Sequence, residues 1–157
     1  MKDKDLFRKT EGILYSYNDL LNDIDLVRED IKIVEEEYKG CTGIQYGEKR
    51  SATNKFVSSV EDEIIIKEKE LKALKRKLNS MIRLKNRINT AVNKLSGVDR
   101  KIIELRYINK STLGWNQIGR VVKFSEVHCR QRIRPRAIRK MMTTILYGED
   151  KFDYLNL

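Results

Sequence analysis

Residues 57–95 read VSSVEDEIIIKEKELKALKRKLNSMIRLKNRINTAVNKL. Within them Val57, Val60, Ile64, Lys67, Leu71, Leu74, Leu78, Met81, Lys85, Ile88, Val92 and Leu95 recur at alternating intervals of three and four. A mean interval near 3.5 residues keeps one narrow stripe on a helix and turns it toward a partner helix, which is coiled-coil patterning. Upstream the same spacing runs through Ile13, Tyr17, Leu20, Ile24, Val27, Ile31, Val34 and Tyr38, with Leu6 one heptad earlier and Thr10 between them in the seam. At 1.5 Å per residue each helix is roughly 50–60 Å long. An exposed seam is unstable, so the two must close within one chain or between two. Lys67 and Lys85 occupy seam positions, where they weaken the stripe and set its register.

Between the two series lies KGCTGIQYGEKRSATN, residues 39–54, which has three glycines and no helical period. It predicts a loop over about 39–56. Ser58 with Glu61 can form a capping box, so the second helix starts there or a turn earlier near Asn54. A chain folded back through this loop lays the first helix antiparallel to the second. Residues 1–38 hold 6 basic and 11 acidic side chains, and 57–97 carry a net +5, so their flanks attract. Exposed pairs give only about 0.2–1 kcal/mol each, which leaves most of the stabilisation to the seam. The glycines do not make a phosphate loop. Gly43 and Gly47 enclose three residues where four are needed, and Glu48 precedes Lys49.

The 157 residues are 36% charged and 40% apolar, with one proline and eight glycines, so little interrupts long helices. No apolar run approaches the roughly 20 residues that cross a bilayer, and the N-terminus lacks a hydrophobic signal core. Cys41 and Cys129 stand far apart beside a single histidine, which excludes a zinc site of ordinary ligand count. The net charge of +10 calls for a polyanionic partner. That charge is segregated: residues 98–142 carry +9, and the tail 143–157 carries −2.

Residues 98–142 read VDRKIIELRYINKSTLGWNQIGRVVKFSEVHCRQRIRPRAIRKMM. Ser96–Gly97 breaks the second long helix, and Asp99 lies in the first turn of a short one that offers Ile102, Ile103, Leu105 and Tyr107 to a core. A turn with Ser111, Thr112 and Gly114 precedes a helix from Trp115 to Val122. Lys123–Phe124 makes a tight turn, and Ser125 caps a third helix that enters the arginine-rich stretch. Two short helices joined by a three- or four-residue turn, the second one basic, describe a helix-turn-helix. Trp115 reads as a plug between the three helices and Cys129 as a small inward residue.

IIELRY, TLGWNQIG, Ser125, Arg130–Gln131 and AIRKM together resemble region 4 of sigma-70-type factors. In that family a hydrophobic pair and an L-R-Y element precede a helix ending I-G, and the recognition helix carries a paired Arg–Gln. The chain is more similar still to phage late-gene activators of the RinA and ArpU type, which add a Trp before that helix and an arginine-rich end. The stretch from Arg130–Gln131 to Ala137 is one residue longer than in sigma region 4. Pro135 inside it predicts a kink or break in the recognition helix. The sigma region that melts DNA has no counterpart.

The fold expected is therefore all-α: a long antiparallel coiled-coil hairpin over 1–96, a sigma region 4-like helix-turn-helix module over 97–145, and an acidic tail over 146–157. The function expected is sequence-specific DNA binding in transcription, and the resemblance implies a phage-encoded activator of late or packaging genes in the bacterial cytoplasm. Arg130 and Gln131 are the base-reading candidates, since Arg pairs bidentately with guanine and Gln with adenine; Glu126 and His128 also reach base edges. Arg120, Lys123, Ser125, Arg132, Arg134, Arg136, Arg139 and Lys140 are assigned to phosphates. Partners are double-stranded DNA, RNA polymerase and a second copy through the coiled coil, with no membrane. No cofactor, metal or catalytic constellation is expected, so the chain does not read as an enzyme. The alternatives are a small terminase-like packaging protein, whose parts usually come in the reverse order, and a coiled-coil adaptor.

Overall fold

The computed structural model describes residues 2–42 and 55–147, with side chains for 3–37 and 63–147. The stretch 43–54, the side chains of the Ser58–Glu61 pair and the acidic tail 148–157 lie outside the described residues. Every described element is helical. In chain order these are α1 (Lys2–Tyr15), α2 (Tyr17–Thr42), α3 (Lys55–Asn93) and α4 (Gly97–Ile103), which runs into a π-helical turn at Glu104–Ile108. Then come α5 (Trp115–Val122) and a last helix in three pieces: α6 (Glu126–His128), a π-turn (Cys129–Ile133) and α7 (Arg134–Ile145). Among the described residues no helix is long and apolar enough to cross a membrane.

The chain divides into two units, residues up to Leu21 with those from Arg83 onward, and Asn22–Ile82. The first unit thus joins the start of the chain to its C-terminal helices. The reason lies in the core of the first unit. Leu14 and Tyr17 pack with Ile88, Ala91, Val92 and Leu95 of α3's end, and all of these meet Ile103, Tyr107 and the α7 residues Ala137, Ile138, Met141, Met142 and Ile145. The outer ends of both heptad stripes serve α7 as well as each other. At about 1.5–3 kcal/mol per large apolar side chain buried, detaching α1 from this core would be costly.

The first long helix is also not a single element. Ser16 Oγ donates to the Ile13 carbonyl at 3.1 Å, and a serine bonded back onto its own helix offers the backbone an alternative to regular geometry. The ladder survives the junction, with Ser16 N–H on Gly12 O at 3.1 Å and Leu20 N–H on Ser16 O at 2.9 Å. Leu14, not Ile13, takes the fully buried seat. Thr10 keeps its seam place in the core because its hydroxyl donates to Leu6 O at 2.8 Å.

In the second unit Ile24, Val27, Ile31 and Val34 are buried, and Ile64, Leu71, Leu74 and Leu78 are half-buried. Glu35 pairs with Lys75 at 2.8 Å. The seam cation Lys67 is neutralised by Glu63 at 3.3 Å and Glu37 at 3.7 Å.

A smaller core closes the C-terminal helices. Ile102, Ile118, Cys129 and Ile133 are buried together, with Val98, Leu105, Leu113, Trp115 and Val122 packed around them. Gly97, at φ +55°, supplies the left-handed turn that separates α4 from α3.

Candidate nucleic-acid interface

The L-R-Y element at 105–107 builds the floor beneath α5. Leu105 joins the small core, and Tyr107 is buried with its hydroxyl donating to Glu11 Oε1 at 2.8 Å. Burial, with Glu11's hydrogen bond and charge, raises the Tyr107 pKa far above the ordinary phenol range. Arg106 donates to the Leu113 carbonyl at 3.0 Å and stands 5.3 Å from the centre of the Trp115 ring. Arg134 faces the same ring at 6.0 Å. Trp115 is thus a half-buried plug held by two guanidinium groups, each such contact contributing about 0.5–1 kcal/mol where solvent reaches it.

At the start of α5, the Gly114 N–H donates to Gln117 Oε1 at 3.1 Å, which satisfies one orphan amide. At its end Lys123 takes φ +60°, ψ +39°, and Phe124 N–H bonds Gly119 O at 3.1 Å. Gly119 makes this turn possible. A Cβ there would lie 2.7 Å from Phe124 O and 3.3 Å from Glu126 N. Ser125 caps the next helix by accepting from His128 N–H at 3.2 Å.

From Glu126 to Arg132 Cys129 is the one buried side chain; Glu126, Val127, His128, Arg130, Gln131 and Arg132 are all exposed, and Ile133 supplies the next anchor. Burial raises the Cys129 thiol pKa. His128 stacks on Phe124, with ring centres 5.3 Å apart. The break predicted at Pro135 is absent: the chain stays helical from Glu126 to Ile145. Arg134 N–H bonds Cys129 O, five residues back, so the turn ahead of the proline is widened. Pro135 then falls in the first turn of α7, where its fixed φ suits the helix.

The structure divides the predicted phosphate-contacting residues into two groups. Arg120, Lys123, Ser125, Arg132 and Arg139 are exposed, and among the described residues no carboxylate pairs with the four cations of this group or with Arg130. Three others are engaged inside the molecule. Arg134 pairs with Glu11 at 3.3 Å. Arg136 sends Nε (3.2 Å) and Nη2 (2.5 Å) to Asp99 Oδ1, and Lys140 Nζ reaches Oδ2 at 2.7 Å. Burial pushes the Asp99 carboxyl upward, but hydrogen bonds and charge from Arg136 and Lys140 outweigh it and hold the pKa below the usual carboxylate range. Asp99's hydrogen bond and charge in turn raise the Arg136 pKa.

The sequence placed Asp99 only in the first turn of a short helix, with no partner. Its scarcity was the available signal: residues 98–142 contain three carboxylates, Asp99, Glu104 and Glu126, among 12 basic side chains. Glu104 pairs locally with Arg100 at 2.7 Å. Glu11, more than a hundred positions from Arg134, carried no local signal at all.

A family model described as protein of unknown function, DUF722, matches residues 9–143. The chain belongs to the DUF722 family. No curated protein and no solved structure matches it. The DUF722 match begins within α1 and ends within α7, so it takes in both units and the exposed basic helix.

Proposed function

We propose that this DUF722 protein is a sequence-specific duplex-DNA-binding regulator of transcription. The observation that carries the reading is the helix from Glu126 to Arg132, anchored by Cys129 and Ile133 and exposed everywhere else, with its cations unpaired among the described residues. A helix so exposed is shaped to enter a major groove, and α5, the Lys123–Ser125 turn and this helix make the two-helix unit that does so. Arg130 and Gln131 read bases, with Glu126 and His128 at the helix start. Arg120, Lys123, Ser125, Arg132 and Arg139 meet phosphates. Arg134, Arg136 and Lys140 are assigned first to the fold; Arg136 and Lys140 keep more than half of their side chains in solvent and can share a phosphate while bound to Asp99.

In this reading α2 and α3 form an antiparallel coiled-coil hairpin. The pairs Glu35–Lys75 and Glu37–Lys67 support it, because one number rises as the other falls. The hairpin is the surface assigned to RNA polymerase or a second copy. The similarity to RinA- and ArpU-type activators gives the more specific expectation of phage late-gene activation. Random-site enrichment followed by quantitative binding tests the proposal. Arg130→Ala and Gln131→Ala should each cost about 1–3 kcal/mol on the selected site and much less on random duplex. Failure to enrich any sequence would overturn it.

A further inference from the structure

A second basic feature lies on the first unit and shares no residue with the reading helix. Arg83, Arg87 and Thr90 stand at i, i+4 and i+7 on one face of α3, Lys94 follows in the turn just past its end, and Thr143 and Thr144 of α7 form the opposite wall of an open groove of about 550 Å³. Among the described residues its lining contains no carboxylate. Lys94 Nζ donates to Thr144 Oγ1 at 3.1 Å, tying the walls together and leaving that hydroxyl's own hydrogen free to donate. Arg83 and Arg87 have no ion pair among the described residues. The C-terminal end of α7 brings a partial negative charge of about one half, which three full cations outweigh.

We propose that this groove binds the sugar–phosphate backbone of duplex DNA, as a second, sequence-independent contact; the inference rests on the DNA-binding reading above. Extent selects the ligand. From Arg83 to Lys94 the chain rises about 16 Å, so the cations are spread for several phosphates in succession rather than for one compact anion. A nucleotide phosphate is usually cradled by free backbone amides, but both walls here are helix flanks whose amides are spent on their own ladders.

The test is a salt titration of the full chain on selected and random duplexes, comparing wild type with Arg83→Gln/Arg87→Gln, which leaves the Lys94–Thr144 bond intact. Each lost phosphate contact makes the slope of log K against log salt shallower by about one, so the double variant should lose about two on both duplexes. The ratio of selected to random affinity should stay unchanged, and Arg83→Lys/Arg87→Lys should restore the slope. Unchanged slope and affinity in the double variant, with wild type binding normally, would overturn the groove alone. Wild type that binds no duplex would overturn the underlying reading and the groove with it. Tight binding of inorganic triphosphate that the double variant loses, with duplex affinity intact, would reassign the groove to a small phosphorylated ligand and also overturn the proposal.

Discussion

Replacing Gly119 by alanine probes whether the α5–α6 turn is as tight as its geometry indicates. The added methyl would sit 2.7 Å from Phe124 O, and ordinary contact begins near 3.4 Å, so the turn must move by about 0.7 Å. The obstacle is backbone, and Glu126 N at 3.3 Å blocks one way out. Overpacking of this kind costs about 1–3 kcal/mol. Alanine also improves helix propensity by about 0.8–1.0 kcal/mol, which offsets part of that cost. The two terms leave a net loss of about 0–2 kcal/mol, lowering Tm by up to about 8 °C at this chain length. Gly12→Ala is the matched control, because that helical position has nothing within 4 Å of the new methyl. There the propensity gain stands alone, and stability should rise by about 0.5–1 kcal/mol. Urea denaturation should therefore leave Gly119→Ala less stable than Gly12→Ala by at least about 0.5 kcal/mol. A Gly119→Ala protein stabilised as much as Gly12→Ala would refute the close approach and the turn built on it.

Asp99→Asn should lower Tm at neutral pH by about 2–6 °C, as Arg136 and Lys140 lose their shared counterion. The Asp99 pKa is lower folded than unfolded, so its contribution is present above about pH 4 and is lost as pH falls through the folded value. Melting curves of wild type and variant should converge in acid, and a constant gap would speak against this pairing. Lys123→Gly should raise stability by about 0.5–1 kcal/mol in urea titration, since Lys123 holds a left-handed conformation that costs side-chain-bearing residues. On DNA, Arg132→Ala should weaken selected and random duplexes alike and make the salt slope shallower by about one, whereas Gln131→Ala should act on the selected site. Equal behaviour of the two would remove the distinction between reading and positioning residues.

Features with a local cause were legible in the sequence. The spacing of Ile24, Val27, Ile31 and Val34 names their buried stripe, and Ser125 announces its cap because a side-chain oxygen must meet an orphan amide two or three residues on. Trp115 and Cys129 were placed by helical period alone. What escaped depended on distant partners. Nothing near Leu14 says that its helix will pack under α7, and nothing near Glu11 points to Arg134. Lysines and arginines in a basic run look equivalent until a fold brings one carboxylate up to two of them. The kink or break expected at Pro135 came from the proline's missing N–H and its ring's clash with a carbonyl one turn back; the widened turn ahead of it places the proline in the first turn of α7 instead.

That widened turn at Cys129–Ile133 has a consequence for how such a protein can change. In a regular α-helix every side chain points about 100° from the last, so swinging the outer residues swings the inner ones with them. An extra residue taken up in a single turn works like a slipped gear tooth: it offsets the direction of everything on one side by about that step. Ala137, Ile138, Met141, Met142 and Ile145 can stay seated while the segment carrying Arg130 and Gln131 is re-aimed. Losing one residue from the turn would point the same side chains at a different edge of whatever they meet and leave α7 seated, but it would also carry Cys129 out of the small core. The small core holding Cys129 and the large core holding α7 thus set two directions along one continuous helix.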